Sequence, residues 1–328
     1  MLIENWNQKD KLQIKATRDG FGEAILELGK QNSNIVVLCA DLAESTRVSD
    51  FKNSFPEKFF EMGLTEQNMA LVAAGMSLSG LVPFMCSFAV FSPIGNLTQV
   101  RVSIAYNQAN VKIVSSHSGI SVGEDGATHQ AIEDIAIMRA IPNMVVLTPC
   151  DFEEAKKITI AAAKYNGPVY LRFERQKTPI FTKKESTFEI GKAQILKDGK
   201  DVAIIACGSL VYEALLAAND LEKEGIYAMI INNPSIKPLD ENKILEVAKK
   251  TRSIVTVEDH QIKGGMGSAI AQFISQNFPV PIEFVGINDC FGESGNFEEL
   301  RAKFNLDLHY IKEKVRQVLK KKGRFNKR

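Results

Sequence analysis

What most constrains this chain is a rhythm of short apolar runs separated by amphipathic stretches. Ile35–Ala40, Leu81–Cys86, Val111–Ser115, Met144–Leu147 and Val169–Phe173 form one set of runs. Val202–Ala206, Ala228–Ile231, Ser253–Val257 and Ile282–Val285 form a second. They are rich in Val and Ile and do not alternate with polar residues. Both faces of each strand must therefore be covered, as in a parallel sheet. Between them lie helical patterns at Gly20–Gly29, Asn68–Ser79, Ile132–Ala140 and Phe152–Ala163, then at Val211–Glu224, Glu241–Lys249, Met266–Gln276 and Ile311–Lys320. This βαβα order predicts an α/β protein with two open sheets, each carrying helices on both faces. A chain of 328 residues exceeds one ordinary core. The two sets of runs give two domains, 1–185 and 186–328, divided in the polar, turn-rich stretch around Lys183–Gly191.

Composition excludes more than it assigns. A formal net charge of +1 gives no field that would draw nucleic acid or a membrane surface. No apolar run is long enough to span a bilayer, and the first twenty residues lack the order of a signal peptide. Cys39, Cys86, Cys150, Cys207 and Cys290 form no CxxC pair and read as buried thiols in a reducing cytosol, hence a cytoplasmic protein. No cysteine–histidine spacing suggests a metal site. The basic end, Lys320 to Arg328, reads as a frayed, solvated tail.

The stretch Ser115–Asp134, SSHSGISVGEDGATHQAIED, holds two of the four histidines, His117 and His129, with Glu124, Asp125, Glu133 and Asp134. Gly119, Gly123 and Gly126 let the backbone bend tightly among these groups. Histidines beside carboxylates suit proton transfer and the gripping of oxyanions. In an open α/β sheet, ligands bind beyond the carboxyl ends of the strands. Asp41 and Ser45, then Phe88 and Phe91, then His117, Asp125 and His129, and finally Arg175 all follow such ends, so convergence at one edge is expected. The two phenylalanines could instead be core, and Arg18 and Arg175 could be surface ion pairs. Glu66 opens an Ala/Gly/Met-rich helix with hardly any charge, which reads as buried. It could cap that helix with Thr65, or be a buried acid with a raised pKa that holds or gives a proton. His260, before two glycines and a helix, marks either an anion site at the helix N-terminus or a structural turn.

Taken together, CADLAEST, MGLTEQNM, SFAVF, HSGISVGEDGATHQAIEDIAIMRAIPNM and PVYLRFER resemble transketolase, more closely its carboxyl-terminal half made as a separate subunit. The similarity runs from ATRDGFG at Ala16 to EDHQIKGGMGSAIA at Glu258. It implies a pyrimidine-binding domain followed by a transketolase C-terminal domain, with thiamine diphosphate shared with a partner chain. By the same resemblance, Glu66 meets the aminopyrimidine ring, Phe91 stacks on it, Phe88 is a second pocket aromatic, and Asp41 and Leu42 line the cofactor. His129 and Asp125 bind sugar hydroxyls near the reacting carbon; Arg18, Ser45, His117 and Arg175 hold the sugar phosphate. The implied reaction moves a two-carbon ketol unit from a ketose phosphate to an aldose phosphate. The beta subunit of a 2-oxo acid dehydrogenase E1 and a deoxyxylulose phosphate synthase-like enzyme are the alternatives. Two departures stand out. Ser92–Arg101 lacks the family's aromatic and acidic pair. No Gly-Asp-Gly followed by an asparagine is present to hold Mg²⁺ or another divalent ion on the diphosphate. The resemblance therefore implies a partner with the diphosphate-binding domain, as a homodimer of this chain within a heterotetramer.

Overall fold

The computed structural model describes residues 1–325. Its strands are β1 (Ile14–Ala16), β2 (Ile35–Cys39), β3 (Phe59–Glu61), β4 (Val82–Phe88), β5 (Lys112–Ser116), β6 (Val145–Leu147), β7 (Val169–Arg172), β8 (Lys177–Pro179), β9 (Gln194–Lys197), β10 (Val202–Ala206), β11 (Ala228–Asn232), β12 (Ser235–Lys237), β13 (Ile254–Gln261) and β14 (Ile282–Ile287). The helices are α1 (Thr17–Gln31), α2 (Ser49–Ser54), α3 (Glu66–Leu78), α4 (Leu97–Gln99), α5 (Asp134–Ala140), α6 (Phe152–Lys164), α7 (Leu210–Lys223), α8 (Glu241–Thr251), α9 (Met266–Asn277), α10 (Phe297–Lys303) and α11 (Leu308–Phe325). Every expected run and helical pattern is present, with ends shifted by a few residues.

A seven-stranded sheet runs β12-β6-β7-β5-β4-β2-β3, parallel except for β12. A five-stranded sheet runs β14-β13-β10-β11-β9, parallel except for β9. Successive residues of a strand face opposite sides, and the apolar runs serve both. Ile35, Val37 and Cys39 pack with Phe21 and Ile25 of α1. Val36 and Leu38 pack with Met69 and Ala73 of α3. The core on the α3 side continues into the second sheet through Ala203, Ile205 and Met266. The sheets do not separate at one point of the chain, because β12 lies beyond residue 186 yet edges the first sheet. The Tyr212 hydroxyl likewise donates to the Trp6 carbonyl at 3.1 Å.

Three expectations are corrected. α3 is not buried all round: Leu71 and Leu78 are 49% and 71% exposed. Its low charge reflects an apolar face left open beside one that packs. Cys290 is exposed while the other four cysteines are buried, because it sits in the loop after β14 and not on a strand. The basic end is not a frayed tail up to Phe325. It continues α11, with Lys322 Nζ donating to the carbonyls of Asp201 and Thr251 at 2.7 Å and Lys321 pairing with Glu283. Residues 326–328 lie outside the described part. No helix among the described residues is long and apolar enough to cross a membrane.

Candidate functional site

β2, β4, β5 and β7 are neighbours in one parallel sheet, so the segments leaving their carboxyl ends meet at a single edge. The loop after β5 begins at His117, whose φ is 58°, and turns through Gly119 and Gly126, with φ of 65° and 77°. At Gly119 a Cβ would lie 2.0 Å from Asp259 Oδ2, and at Gly126 it would lie 2.4 Å from Ser294 Oγ. The glycines thus admit the second domain against the loop. Asp259 accepts the Ile120 amide with both oxygens at 3.1 Å, and Gln130 Nε2 donates to the Glu293 carbonyl at 3.0 Å. The second domain holds the loop that carries both histidines.

The rings come together. The His117 imidazole stacks on Phe88 with centroids 3.7 Å apart, and Phe88 stacks on Phe91 at 5.8 Å. His129 meets Phe91 edge-on at 5.5 Å. His117 is buried, and burial, then the charges of Arg18 and Arg175, pull its pKa down to about 3. Neutral at pH 7, it accepts from Arg18 Nη1 at 3.3 Å through Nε2 and donates from Nδ1 to Ser116 Oγ at 2.8 Å. Arg18 Nη1 also donates to the Ser45 carbonyl at 2.8 Å, while Arg18 Nε is buried with no partner. Burial and the nearby Arg47 lower the Arg18 pKa to about 10. Arg18 is therefore no surface ion pair. Arg175 pairs with Glu124 at 3.1 Å across an exposed contact, and its Nη1 also meets the Val122 carbonyl. Arg18, Arg47 and Arg175 make one cationic group, and nothing in the sequence marks Arg47 out.

Glu66 opens α3, half-buried and not fully buried as expected. It does not cap the helix. The Thr65 hydroxyl donates back to the Met62 carbonyl at 2.6 Å, and Glu66 Oε1 accepts from Ser87 Oγ at 3.1 Å. Glu66 and Phe91 line one cleft of about 520 Å³ together with Thr65, Gln67 and Gly95. From Val90 to Tyr106 the chain forms short helical pieces, with π-type turns at Val90–Ile94, kinked at the extended Ser92, and at Val100–Tyr106. Asn96 lies between them, with Nδ2 donating to the Glu66 carbonyl at 2.8 Å. Neither Ser87 nor Asn96 is legible as a site residue in sequence, since each acts only through a contact made across the fold. Asp41, with φ of 56°, is exposed at the end of β2 and donates its amide to Glu61 at 2.8 Å; Leu42 packs behind it on the α1 core. Ser45 meets Arg18 by its carbonyl and not by its hydroxyl. Asp125 is exposed where the 3₁₀ turn Gly119–Asp125 ends, apart from the ring cluster.

His260 belongs to another layer. It is buried, and its Nε2 accepts the Ala136 amide at 3.3 Å. The N-terminus of α9 is filled by the Glu258 carboxylate, which accepts from Met266 and Gly267 at 2.6 and 2.8 Å. The region is thus a structural turn, with a protein carboxylate where an external anion would have sat.

Comparison with known proteins agrees with this geometry. The family "Transketolase, pyrimidine binding domain" matches residues 13–180, and "Transketolase, C-terminal domain" matches residues 191–311. A Methanocaldococcus jannaschii protein described as a transketolase C-terminal section is 47% identical over 311 residues, covering 94% of this chain and 97% of that one. A 6-deoxy-6-sulfo-D-fructose transketolase subunit of Clostridium sp. is 38% identical, covering 95% and 97%. A solved split-gene transketolase, described as an inactive beta4 tetramer, superposes with a TM-score of 0.88 at 44% identity, over 93% of this chain and 98% of the other.

Proposed function

This chain belongs to the transketolase family, as a subunit built of its pyrimidine-binding and C-terminal domains, and we propose that with a partner chain it transfers a two-carbon ketol unit from a ketose phosphate to an aldose phosphate. The observation that carries this reading is one juxtaposition. A carboxylate and an aromatic ring share the walls of a cleft, and the Arg18 guanidinium, with a buried Nε that has no partner, stands at the same sheet edge.

The cleft fits the pyrimidine half of thiamine diphosphate. Ser87 occupies one Glu66 oxygen, which leaves the other for a ring nitrogen. Phe91 offers a flat face to this cleft with the buried Phe88 stacked against it, and Asp41 and Leu42 stand at the neighbouring strand end. When bound, thiamine diphosphate supplies the centre that stabilises a carbanion. With the cofactor bound, Glu66 would hold and return a proton at the ring, and Phe91, carried by the π-type turn Val90–Ile94, would offer its face to that ring. The diphosphate and its divalent ion go to the partner chain, since this sequence lacks the Gly-Asp-Gly and asparagine that would hold them. His129 and Asp125 meet the sugar hydroxyls. Arg18, Arg175, His117 and the Ser45 segment hold its terminal anion, with guanidinium forks giving directed hydrogen bonds.

Two features shape the rest. The Clostridium relative is named for a sulfonated sugar. A sulfonate offers this cluster the same tetrahedral oxygens as a phosphate, and the unusual Ser92–Arg101 segment borders the pocket. Leu71 and Leu78 on the open side of α3 are 49% and 71% exposed, and Leu64 in the turn before the helix is 79% exposed. Such a stripe supports an assembly with two copies of this chain.

The test is to purify this chain alone and with a chain carrying the Gly-Asp-Gly motif, thiamine diphosphate and Mg²⁺. Ketol transfer should appear only in the mixture, and light scattering should give at least two copies of each chain. Robust transfer by the single chain would overturn the need for a partner. Oxidative transfer of an acyl group to a lipoyl protein, without sugar activity, would move the assignment to the 2-oxo acid dehydrogenases.

A further inference from the structure

We infer that Asn96 is a positioning residue that fixes Glu66 for its work on the cofactor; this rests on the cofactor reading given above. Asn96 is 1% exposed. Its Nδ2 donates to the Glu66 carbonyl at 2.8 Å and to Ser92 Oγ at 3.2 Å. The Ser92 carbonyl in turn accepts from Ser115 Oγ on β5. One buried amide therefore joins three segments, each bearing a proposed site residue. They are α3 with Glu66, the π-type turn with Phe91, and the strand that leads into His117.

Glu66 needs such a tether. It stands in the first turn of a helix that has no side-chain cap, next to the exposed Leu64, Thr65, Gln67 and Asn68. Its position depends on few fixed points. Ser87 holds the carboxylate from β4, and Asn96 holds the backbone. The two contacts grip the same residue at its backbone and at its carboxylate and together set where its free oxygen lies.

The state of the amide itself supports the role. Asn96 Oδ1 is buried and has no partner. A half-satisfied amide in the interior costs more than an apolar residue of similar size would. Packing does not account for it, whereas the donor aimed at Glu66 does.

The experiment uses the assembled enzyme: this chain, its diphosphate-binding partner, Mg²⁺ and thiamine diphosphate. Three quantities are read for wild type, Glu66→Gln, Asn96→Ala and Asn96→Asp. They are the exchange of the cofactor C2 hydrogen into heavy water by acid-quenched NMR, the cofactor dissociation constant by calorimetry, and the melting temperature. Both Asn96 variants should exchange about tenfold to a hundredfold more slowly, as a displacement of order 1 Å allows. Their melting temperatures should stay within a few degrees of wild type, and kcat should fall with KM for sugar unchanged. Asn96→Asp keeps the size and loses the donor, so it answers for Asn96→Ala should that variant fold poorly. Wild-type exchange per bound cofactor in either variant overturns the inference, whatever its stability. Equal exchange in wild type and Glu66→Gln overturns the cofactor reading beneath it instead.

Discussion

The molecule contains two parallel sheets whose carboxyl edges are built alike and used differently. At the edge of the first sheet stand aromatic rings, the neutral imidazole of His117 and a guanidinium with an unpartnered Nε. At the edge of the second, the positions that could have received a ligand are filled by carboxylates of the protein itself. Glu258 occupies the N-terminus of α9. Glu174, from the first domain, accepts the Ser209 amide at the start of α7 at 3.0 Å. Asp259 reaches back to Ile120. Topology alone offers two ligand crevices, and side-chain chemistry closes one of them to make a seam between domains.

Beneath the seam lies a buried ion pair. Arg172 Nε meets Asp134 Oδ2 at 2.7 Å, and the Tyr170 hydroxyl donates to the same oxygen at 2.5 Å. Burial pushes the Asp134 carboxyl up, but Arg172 and His260 bring it below the usual range. Arg172 also donates to the Asp259 carbonyl at 2.8 Å and so ties the pair to the second domain. If the comparison holds, changes in the seam should cost stability, and changes at the open edge should cost activity. Arg172→Met tests the first half most severely. It leaves a buried carboxylate without its cation, at a cost of about 3 kcal/mol or more. Denaturant titration should show this loss, and a value below about 1 kcal/mol would demote the seam to ordinary packing.

Glu66→Gln tests the other half. Turnover should fall on the order of a hundredfold, with the melting temperature close to wild type. Near-normal turnover would remove Glu66 from the chemistry. Within the open edge, Arg175→Ala and His129→Ala should separate. Arg175→Ala should raise KM about tenfold for phosphorylated sugars and less for unphosphorylated acceptors, because it holds a remote group in ground and transition states alike. His129→Ala should lower kcat, because it stands near the carbon where charge develops. Equal losses on both acceptors in Arg175→Ala would show that this arginine does not grip the anion.

The smallest effect concerns pH. Glu154, close to the seam, accepts the Cys150 amide and Asn232 Nδ2 at 2.7 Å each, and burial raises its pKa from 4.5 to about 7. Between those values the folded protein keeps a proton that the unfolded chain has released, so stability falls as pH rises through this window. Glu154→Gln removes that slope. The melting temperature of the variant relative to wild type should climb between pH 5 and 7 and then level off. A difference that stays constant over this range would mean that Glu154 is ionised in the folded state.

Much of this was legible in the residues alone. Unalternating Val and Ile runs require coverage on both faces, so the parallel sheets and their helices followed from local pattern. The ends of the runs placed Asp41, Ser45, Phe88, His117 and Arg175 at strand termini, and the parallel order brought those termini to one edge. Gly119, Gly123 and Gly126 declared a tightly bent loop, and all three have positive φ. Contacts between distant segments had no local signature. Ser87 under Glu66, Asn96 against its carbonyl, Arg47 beside Arg18 and Asp259 on the Ile120 amide join residues 21 to 139 positions apart. Burial was equally hidden. The pattern of α3 is apolar whether its outer face meets the same chain or another, and only the packed structure leaves Leu71 and Leu78 open. Periodicity is written along the chain, so sequence determined the elements and their order. Hydrogen bonds, desolvation and charge act through space, so only the tertiary structure decided that Glu258 seals one sheet edge while Arg18 keeps an unpartnered Nε at the other.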